Sequence, residues 1–390
     1  MLDLLAKAPL FEAQIDIAGS MKVAIVLNTS WNIYNFRLNF VKTLLAKGYE
    51  VHTVAPVDDF THYLTEAGCH HHAVKMDSRG INPIKDVALT FELWSIYRRI
   101  KPDIILHYTI KPNVYGSLAA SMLKIPTVNN VCGLGTVFLR KNLLSAVALM
   151  LYRWTFRYPK KVFFQNPDDR DLFVSRKLVS PQSADLLPGS GIDLERFTPG
   201  PFKRNEKFTF LLISRLITDK GIMEYVEAVK KLKALGVNAH FQILGAKDPK
   251  HQRGIALDVI DHWIDTNTVE YLGTTQDVQP FIKSADCVVL PSYREGTPHT
   301  LLEAASCAKP IIATDVPGCH QVVTDNYNGF LCRIKDADDL ASKMVTMAAM
   351  DDQALRLFGE NGRKKMEKEF DEALVINKYL ETLIEFQKAS

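Results

Sequence analysis

The feature of this sequence that most constrains its fold is an alternation of short apolar runs with longer segments of helical period. Apolar runs of this length, separated by helical segments, are typical of a parallel β-sheet covered by helices. In the first half of the chain the predicted strands are residues 23–27, 51–55, 104–107, 127–131 and 162–164. In the second half they are residues 208–213, 240–244, 269–272, 287–290 and 311–313. Asn82-Pro83 and Asn166-Pro167 each place a capping residue before a proline at the first helical position, which predicts a helix start at both places. The sequence therefore predicts an α/β protein in which one layout occurs twice.

Residues 188–201 are rich in proline and glycine and are predicted to link two domains, 21–187 and 202–370. Each domain has the strand and helix order of a Rossmann-like sheet, so we expect two facing Rossmann-like domains with an interdomain cleft. Residues 371–390 are expected to form a C-terminal helix that packs back on the N-terminal domain. Residues 1–20 precede a second methionine and are interpreted as a leader or an extension introduced by cloning, with a native amphipathic extension as the alternative.

Composition excludes several other classes of protein. The chain has 390 residues, a hydrophobic share of 47% and a formal net charge of +3, all ordinary for a globular protein with two cores. Its six cysteines include no Cys-x-x-Cys pair, so neither a disulfide framework nor a zinc knuckle is indicated, and a reducing cytoplasm fits. The longest apolar run, residues 143–152, is much shorter than the ~20 residues of a membrane-spanning helix. We therefore expect a soluble or peripheral protein.

Two cations mark the first candidate site. Arg215 and Lys220 lie in residues 213–221, which lead from the first strand of the second domain into a helix. Open parallel sheets bind phosphate at this place, because the helix N-terminus supplies oriented N–H groups and cationic side chains add positive charge. The segment suits a diphosphate, and a solvated loop with two ordinary surface cations explains it about equally well.

Two carboxylates mark the second candidate site. Glu295 is predicted in a loop after a strand and Glu303 in the next helix, about 12 Å apart at the rise of a helix. Carboxylates accept hydrogen bonds from hydroxyl pairs, so the two can hold the hexose and the ribose of one sugar nucleotide. Separate surface charges are the alternative. Against it, Gly296 permits close backbone approach, Thr297 and the proline after it are expected to cap the helix, and residues 304–305 are packing positions.

Three segments are together hard to explain by chance: Ser214-Arg215-Leu216 with Lys220-Gly221, residues 290–298, and residues 314–319. On these motifs, residues 21–371 resemble the family 4 glycosyltransferases of GT-B fold, the retaining class marked by two glutamates with seven residues between them. The resemblance implies catalytic roles for three side chains. Arg215 and Lys220 would hold the donor diphosphate, and Glu295 would contact the transferred sugar.

The resemblance also implies how the rest of the donor is held. Glu303 would bind the ribose, and the backbone of Gly296 and Thr297 would lie beside the phosphates. The departing diphosphate would be stabilised electrostatically by cations, so neither a metal nor a cofactor is expected, and the nucleotide sugar is a substrate.

The first domain departs from the family pattern. Many members place a histidine soon after the fourth or fifth strand, but residues 129–136 contain none, so no acceptor-side base is assigned. Gly133 and Gly135 are candidates for a cleft-lining loop on the acceptor side, with a plain strand-to-helix turn as the alternative. Asn32 and Asn35 lie among aromatic residues after the first strand, a composition that suits an acceptor sugar. The aromatic residues could instead simply pack.

Two groups of residues resemble metal ligands. Residues 169–171 and 336–338 read Asp-x-Asp, but both lie where a helix is predicted to begin, and aspartate there satisfies exposed N–H groups and the helix dipole. His70, His71 and His72 are adjacent on a strand, so their side chains point to opposite faces and cannot close a site. They are predicted to form an exposed strand end.

Between Ile104 and Pro167 the chain contains no Asp or Glu and eight Lys or Arg residues. Within this stretch, residues 140–161 combine an apolar, helix-like core with basic flanks, a pattern that suits docking to an anionic membrane surface. A buried helix with basic ends is the alternative. The sequence has no recognisable nucleic-acid-binding module, so no nucleic acid is expected as a partner.

The resemblance predicts a retaining glycosyltransferase that moves a hexose or N-acetylhexosamine from a nucleotide sugar, with UDP as the expected nucleotide. The expected acceptor is a polyprenyl-diphosphate-linked sugar in bacterial O-antigen or capsule synthesis, at the inner face of the cell membrane. A nucleotide-sugar epimerase of the same fold is one alternative, and it would act without an acceptor. A non-catalytic membrane-associated scaffold is another, and the two cations and two glutamates of the candidate sites argue against it.

Overall fold

The computed structural model describes residues 21–77, 82–134 and 143–389, and the predicted leader 1–20 lies outside the described residues. The described chain forms a seven-stranded sheet followed by a six-stranded sheet, and the paired strands of both sheets run parallel. The prediction of an α/β protein in which one layout occurs twice is confirmed.

The first sheet has the strand order 3-2-1-4-5-6-7. Its strands are β1 (Lys22–Val26), β2 (Glu50–Ala55), β3 (His70–Ala73), β4 (Ile104–Tyr108), β5 (Thr127–Val131), β6 (Lys161–Phe164) and β7 (Ala184–Leu186). The five predicted strands are all present. The edge strand β3 was expected only as a strand end and β7 was not predicted, because neither has a buried apolar run.

The second sheet has the strand order 10-9-8-11-12-13. Its strands are β8 (Phe208–Ile213), β9 (Ala239–Leu244), β10 (Glu270–Tyr271), β11 (Cys287–Leu290), β12 (Ile311–Thr314) and β13 (Gly329–Cys332). Strand β13 was not predicted, because glycine is a poor strand former. Its glycine is required by packing, since a Cβ on Gly329 would lie 2.1 Å from the carbonyl oxygen of Ile311.

Helices cover both faces of each sheet. In the first half they are α1 (Ser30–Ala46), α2 (Thr61–Glu66), α3 (Pro83–Ile100), α4 (Ser117–Met122), α5 (Leu143–Thr155) and α6 (Pro167–Ser175). In the second half they are α7 (Ile222–Ala234), α8 (Leu257–Asp265), α9 (Gln279–Ser284), α10 (His299–Ser306), α11 (Cys319–Val322), α12 (Ala337–Ala349) and α13 (Asp352–Lys365). As predicted, Asn82 and Asn166 cap α3 and α6, and each is followed by proline.

The last helix, α14 (Glu372–Ala389), packs in the core of the first half, where Val375, Tyr379 and Leu383 are buried beside strands β1 and β4. The hydroxyl of Tyr379 accepts a hydrogen bond of 2.8 Å from Asn130 Nδ2. The chain therefore crosses between the halves twice, once after β7 and once before α14.

Candidate active site between the two halves

Loops that follow the carboxyl ends of strands from both sheets meet between the halves. After β6, Asn166 Nδ2 donates a hydrogen bond of 2.8 Å to the carbonyl of Gly296. After β11, Thr297 Oγ1 donates one of 2.9 Å to the carbonyl of Gln165. The carboxyl ends of strands are where open α/β sheets bind their ligands, so the two halves present their ligand-binding edges to each other.

Glycines make this close approach possible. A Cβ on Gly296 would lie 2.3 Å from the carbonyl oxygen of Cys132, and a Cβ on Gly133 would lie 3.0 Å from the nitrogen of Gly296. Gly318 packs on the same loop, where a Cβ would lie 2.5 Å from the carbonyl oxygen of Gly296. As predicted, Gly296 permits a close backbone approach. The backbone that it contacts is that of Cys132 in the first half. Gly135 lies outside the described residues.

The predicted phosphate loop leaves β8, forms one 3-10 turn and enters α7 through Gly221. Gly221 has a φ of 71°, and a Cβ there would lie 2.0 Å from the carbonyl oxygen of Pro291. The backbone N–H of Tyr293 donates a hydrogen bond of 2.9 Å to the carbonyl of Asp219. This packing brings the loop after β8 against the loop after β11, so the two predicted donor segments form one site.

Lys220 and Glu295 form an ion pair inside this site. Both side chains are largely buried, with 23% and 12% of their surface exposed. The guanidinium of Arg215 is half-exposed and lies 3.9 Å from Asp248. The structure thus brings two of the three predicted catalytic residues into direct contact and leaves Arg215 at the solvent side.

The prediction that Thr297 and the proline after it cap α10 is wrong. Helix α10 begins at His299, and no side chain caps it, because the Thr297 hydroxyl donates across the interface to Gln165. Thr297 lies two residues before the first helical residue and is 8% exposed. Its side chain therefore ties the donor loop to the first half. The packing expected of residues 304–305 is confirmed, since both alanines are buried.

Glu303 lies on α10, eight residues after Glu295 in the chain, and its side chain is partly buried. Burial raises the pKa of its carboxyl to about 7, a rise that the charge of Arg196 opposes and that of Asp277 increases. No side chain in the described residues donates a hydrogen bond to this carboxylate at hydrogen-bond distance. Its oxygens are accordingly open to hydroxyl donors.

A buried ion pair between the halves escaped sequence reasoning. Arg294 pairs with Asp169, whose side chain is 1% exposed. Asp169 had been interpreted as a residue that satisfies helix N–H groups, but Asn166 does that by accepting from the backbone N–H of Asp169. Burial raises the pKa of Asp169, and Arg294 opposes the rise. In the other Asp-x-Asp triplet, Asp336 does cap its helix as predicted.

The acceptor-side candidates make local contacts. Asn32 Oδ1 accepts a hydrogen bond of 2.5 Å from Arg37, and Asn35 Nδ2 donates one of 2.9 Å to the carbonyl of Trp31. The ring of Phe36 packs on that of His299 at 4.1 Å between centroids. His299 enters the site from the second half, and sequence reasoning missed it because no helix or strand pattern singles it out.

The three adjacent histidines form β3, as a strand at the sheet edge. Adjacent side chains were expected on opposite faces, and His71 and His72 do contact different partners. His71 Nδ1 lies 3.1 Å from Thr53 Oγ1, and His72 Nε2 lies 3.0 Å from His52 Nδ1. The rings of His70 and His72 both stack on that of His52, with centroids 5.1 and 5.2 Å away. The neighbouring strand thus adds a third imidazole to one face, which the sequence of β3 alone did not indicate.

Two family profiles match the chain in tandem. Residues 22–166 match the family described as Glycosyl transferase 4-like, and residues 195–365 match the family described as Glycosyl transferases group 1. The chain belongs to the glycosyltransferases. Solved glycosyltransferases share its arrangement of two parallel sheets, and the fold of this glycosyltransferase is GT-B.

Relatives of this glycosyltransferase match over most of their length. It is 27% identical over 377 residues to an N,N'-diacetylbacillosaminyl-diphospho-undecaprenol alpha-1,3-N-acetylgalactosaminyltransferase of Campylobacter jejuni, covering 92% of this chain and 97% of that protein. It is 26% identical over 302 residues to a UDP-Gal:alpha-D-GlcNAc-diphosphoundecaprenol alpha-1,3-galactosyltransferase of Escherichia coli, covering 74% of this chain and 76% of that protein. The Anabaena HepE structure in complex with UDP and glucose superimposes with a TM-score of 0.77 at 17% identity, covering 93% of this chain and 99% of that chain.

Proposed function

We propose that this glycosyltransferase moves a hexose or N-acetylhexosamine from a UDP-sugar to a polyprenyl-diphosphate-linked sugar, with retention of anomeric configuration. The names of the Campylobacter and Escherichia relatives support the acceptor, since both specify a diphospho-undecaprenol saccharide. Both names also specify an alpha-linked product. UDP-hexoses carry their sugar in alpha linkage, so an alpha product corresponds to retention. Synthesis of a bacterial surface glycan is the process that such a reaction serves.

The observation that carries the proposal is the contact between Lys220 and Glu295 beside backbone groups that have no partner. Gly296 and Thr297 are buried residues, and their backbone N–H groups donate no hydrogen bond within the described residues. Buried backbone N–H groups are nearly always paired, so these two point to a ligand that accepts hydrogen bonds. A donor diphosphate supplies such acceptors, and Lys220 adds the charge that stabilises it as it departs.

In this proposal the rest of the donor extends along α10. When the donor binds, the carboxylate of Glu295 releases Lys220 and accepts hydrogen bonds from the hydroxyls of the transferred sugar. The carboxylate of Glu303 accepts hydrogen bonds from the ribose hydroxyls. Arg215, at the solvent side, contacts the outer phosphate. The two cations take the role that a metal ion has in other transferases, so we expect activity to be unchanged by a metal chelator.

Nucleotide-sugar binding and turnover test the proposal in one pair of assays. One UDP-sugar should raise the melting temperature, because a ligand that binds only the folded state stabilises it. UDP release should then require a lipid-linked acceptor. Conversion of the nucleotide sugar without any acceptor would instead identify an epimerase. If no nucleotide sugar raises the melting temperature, the transferase proposal is contradicted and the alternative of a non-catalytic scaffold is favoured.

We also propose that α5 docks on an anionic membrane at the cytoplasmic face, within the predicted surface 140–161. Arg140 and Lys141 lie outside the described residues. Helix α5 packs Tyr152 into the core, but it exposes Val147, Met150 and Trp154 by 41%, 64% and 43%. These three lie at helical spacing, and Arg153 and Arg157 flank them. The membrane-docking surface and the buried helix predicted as alternatives therefore each describe one face of α5, because one face is buried and the other is exposed.

Helix α3 extends this surface. It exposes Ile84, Val87 and Phe91 by 82%, 57% and 59%, again at helical spacing. Both α3 and α5 contact the π-helical turn Pro112–Gly116, so they cover the same face of the first sheet. None of the helices in the described ranges is long and apolar enough to span a bilayer. Apolar side chains beside basic ones are typical of binding in the membrane interface.

Co-sedimentation with vesicles tests this surface. Wild type should bind vesicles rich in phosphatidylglycerol and ignore pure phosphatidylcholine. Met150→Glu should abolish binding, whereas Leu235→Glu should not, since Leu235 is a similarly exposed apolar residue of the second half, at 71% against 64% for Met150. Equal binding by both variants would exclude α5 as the docking surface.

A further inference from the structure

Arg37 is a buried cation without a carboxylate beside it. It lies on the inner face of α1 and is 7% exposed. Its Nη1 donates to the carbonyl and side-chain oxygens of Asn32 at 3.4 and 2.5 Å, and its Nη2 lies 3.8 Å from the Cys132 thiol. Its guanidinium lies over the ring of Tyr108, 4.2 Å from the centroid. Within the described residues no Asp or Glu oxygen lies within 4.0 Å of it.

Among the described residues, the side chains packed around the Arg37 guanidinium supply no compensating charge. Burial raises the pKa of Tyr108, Cys132 and Tyr379, and burial together with the Arg37 charge lowers the pKa of His299 to about 3, so all four are neutral at pH 7. Glu372 lines the same small cavity as Arg37. Its carboxylate accepts a hydrogen bond of 2.6 Å from Asn39, and burial raises its pKa. A buried charge of this kind is costly unless a partner neutralises it.

Thr109 is a second unusual residue at this place. It directly follows β4 and has a φ of 63°, a conformation that β-branched residues rarely adopt. Its Oγ1 is buried and has no hydrogen-bond partner in the described part of the chain. Its backbone lies beside the Cys132 thiol and, like Arg37, opposes the rise in the pKa of that thiol. Strained residues with unpaired polar atoms are common where a ligand binds.

The position of these residues relates them to the donor site. Cys132 directly precedes Gly133, which touches the backbone of Gly296 in the donor loop. Arg37 therefore lies on the first-half side of the junction, while Lys220 lies on the second-half side. Among the described residues, each side of the cleft therefore presents at least one largely buried cation.

We propose that Arg37 and the Thr109 hydroxyl bind the diphosphate of the lipid-linked acceptor. This inference rests on the proposed function, which requires two diphosphates in one cleft. Lys220 and Arg215 of the second half bind the donor diphosphate. Arg37 of the first half is then available to bind the acceptor diphosphate. A planar guanidinium suits this ligand, because its parallel N–H groups match the oxygens of a phosphate. Arg37 is then a binding residue that neither the family resemblance nor the acceptor-side candidates included.

Steady-state kinetics with two matched acceptors tests the inference. The first acceptor is the polyprenyl-diphosphate saccharide that wild type uses, and the second is the same saccharide on a neutral alkyl chain. Arg37→Gln should raise the KM of the first acceptor about tenfold or more, as expected for one lost charge-assisted hydrogen bond, and leave the second unchanged. Arg37→Lys should recover part of the loss, and Lys42→Gln, an exposed lysine on the same helix, should behave as wild type.

Two further measurements keep the outcomes distinct. Farnesyl diphosphate, an anion without a sugar, should inhibit wild type in competition with the acceptor and inhibit Arg37→Gln at least tenfold less. The melting temperature of Arg37→Gln should not fall, because the variant removes an unpaired buried charge. Equal losses on both acceptors, or a loss of UDP-sugar binding, would overturn the inference. Failure of the proposed function is seen separately, as absence of lipid-dependent UDP release by wild type.

Discussion

The ammonium group of Lys220 and the carboxylate of Glu295 meet between the loops that follow β8 and β11, two neighbouring strands of the second sheet. The two residues are 75 positions apart in the chain. Their contact keeps a cation and a hydrogen-bond acceptor at one point of the cleft, so both lie within reach of the same sugar diphosphate.

Replacement of Lys220 by alanine should lower kcat with a UDP-sugar by about ten- to a hundredfold, because one charge-assisted hydrogen bond to the departing diphosphate is lost. Arg215→Ala should cost less, since 51% of the Arg215 side chain is exposed and water screens its charge. Lys230→Ala, which removes an exposed lysine of α7, is the control and should retain full activity. Equal rates for Lys220→Ala and wild type would contradict the assigned role.

Gly296→Ala should reduce both activity and stability. The added Cβ would lie 2.3 Å from the carbonyl oxygen of Cys132, so the halves must separate at the donor loop. Overpacking of this kind costs about 1–3 kcal/mol in the free energy of unfolding, measured by chemical denaturation. Gly200→Ala is the control, because the nearest atom to its new Cβ is a lysine side-chain carbon at 3.9 Å. A Gly296→Ala protein with wild-type turnover would show that this close contact is dispensable.

Asp169→Asn should lower the free energy of unfolding by about 3–5 kcal/mol, because it leaves the buried guanidinium of Arg294 without its counter-charge. The double variant Asp169→Asn with Arg294→Met should be more stable than the single variant. Asp171→Asn breaks the exposed pair with Arg170 and should cost about 1 kcal/mol or less. If the two single variants lose the same stability, the Asp169 pair is no stronger than a surface pair.

Donor affinity should fall as the pH drops below about 7, because burial raises the pKa of Glu303 to about 7 and the protonated carboxyl is a weaker acceptor for ribose hydroxyls. The effect on stability has the opposite sign. Since the folded-state pKa is above the unfolded value, the folded protein binds more protons between the two values, and this contribution to stability is lost as the pH rises toward 7.

Titration of UDP-sugar affinity from about pH 5.5 to about pH 8.5 measures the first effect. This range spans the raised pKa of Glu303 and stays above the usual pKa of a glutamate. Glu303→Gln should bind the donor weakly and with little dependence on pH over this range. A wild-type affinity that is constant through pH 7 would exclude Glu303 from donor recognition.

Local sequence patterns were sufficient for much of the fold. Apolar runs predicted ten strands, and the Asn-Pro pairs at residues 82 and 166 predicted two helix starts, because these signals depend on neighbours within a few positions. The strands that escaped prediction lie at sheet edges, where a residue is only partly buried or, like Gly329, is required by a neighbouring strand. The donor segments were identifiable because each lies within a dozen residues.

Local patterns were therefore enough to identify the secondary-structure elements and the donor loops. Which loops touch depends on the packing of the two halves. The tertiary structure paired Arg294 with Asp169, turned the Thr297 hydroxyl from a helix cap to Gln165, and buried Arg37 with no carboxylate beside it among the described residues. Contacts of this kind join residues more than a hundred positions apart, as in the case of Asp169 and Arg294. They depend on how two sheets face each other, and no local propensity or periodicity records that arrangement.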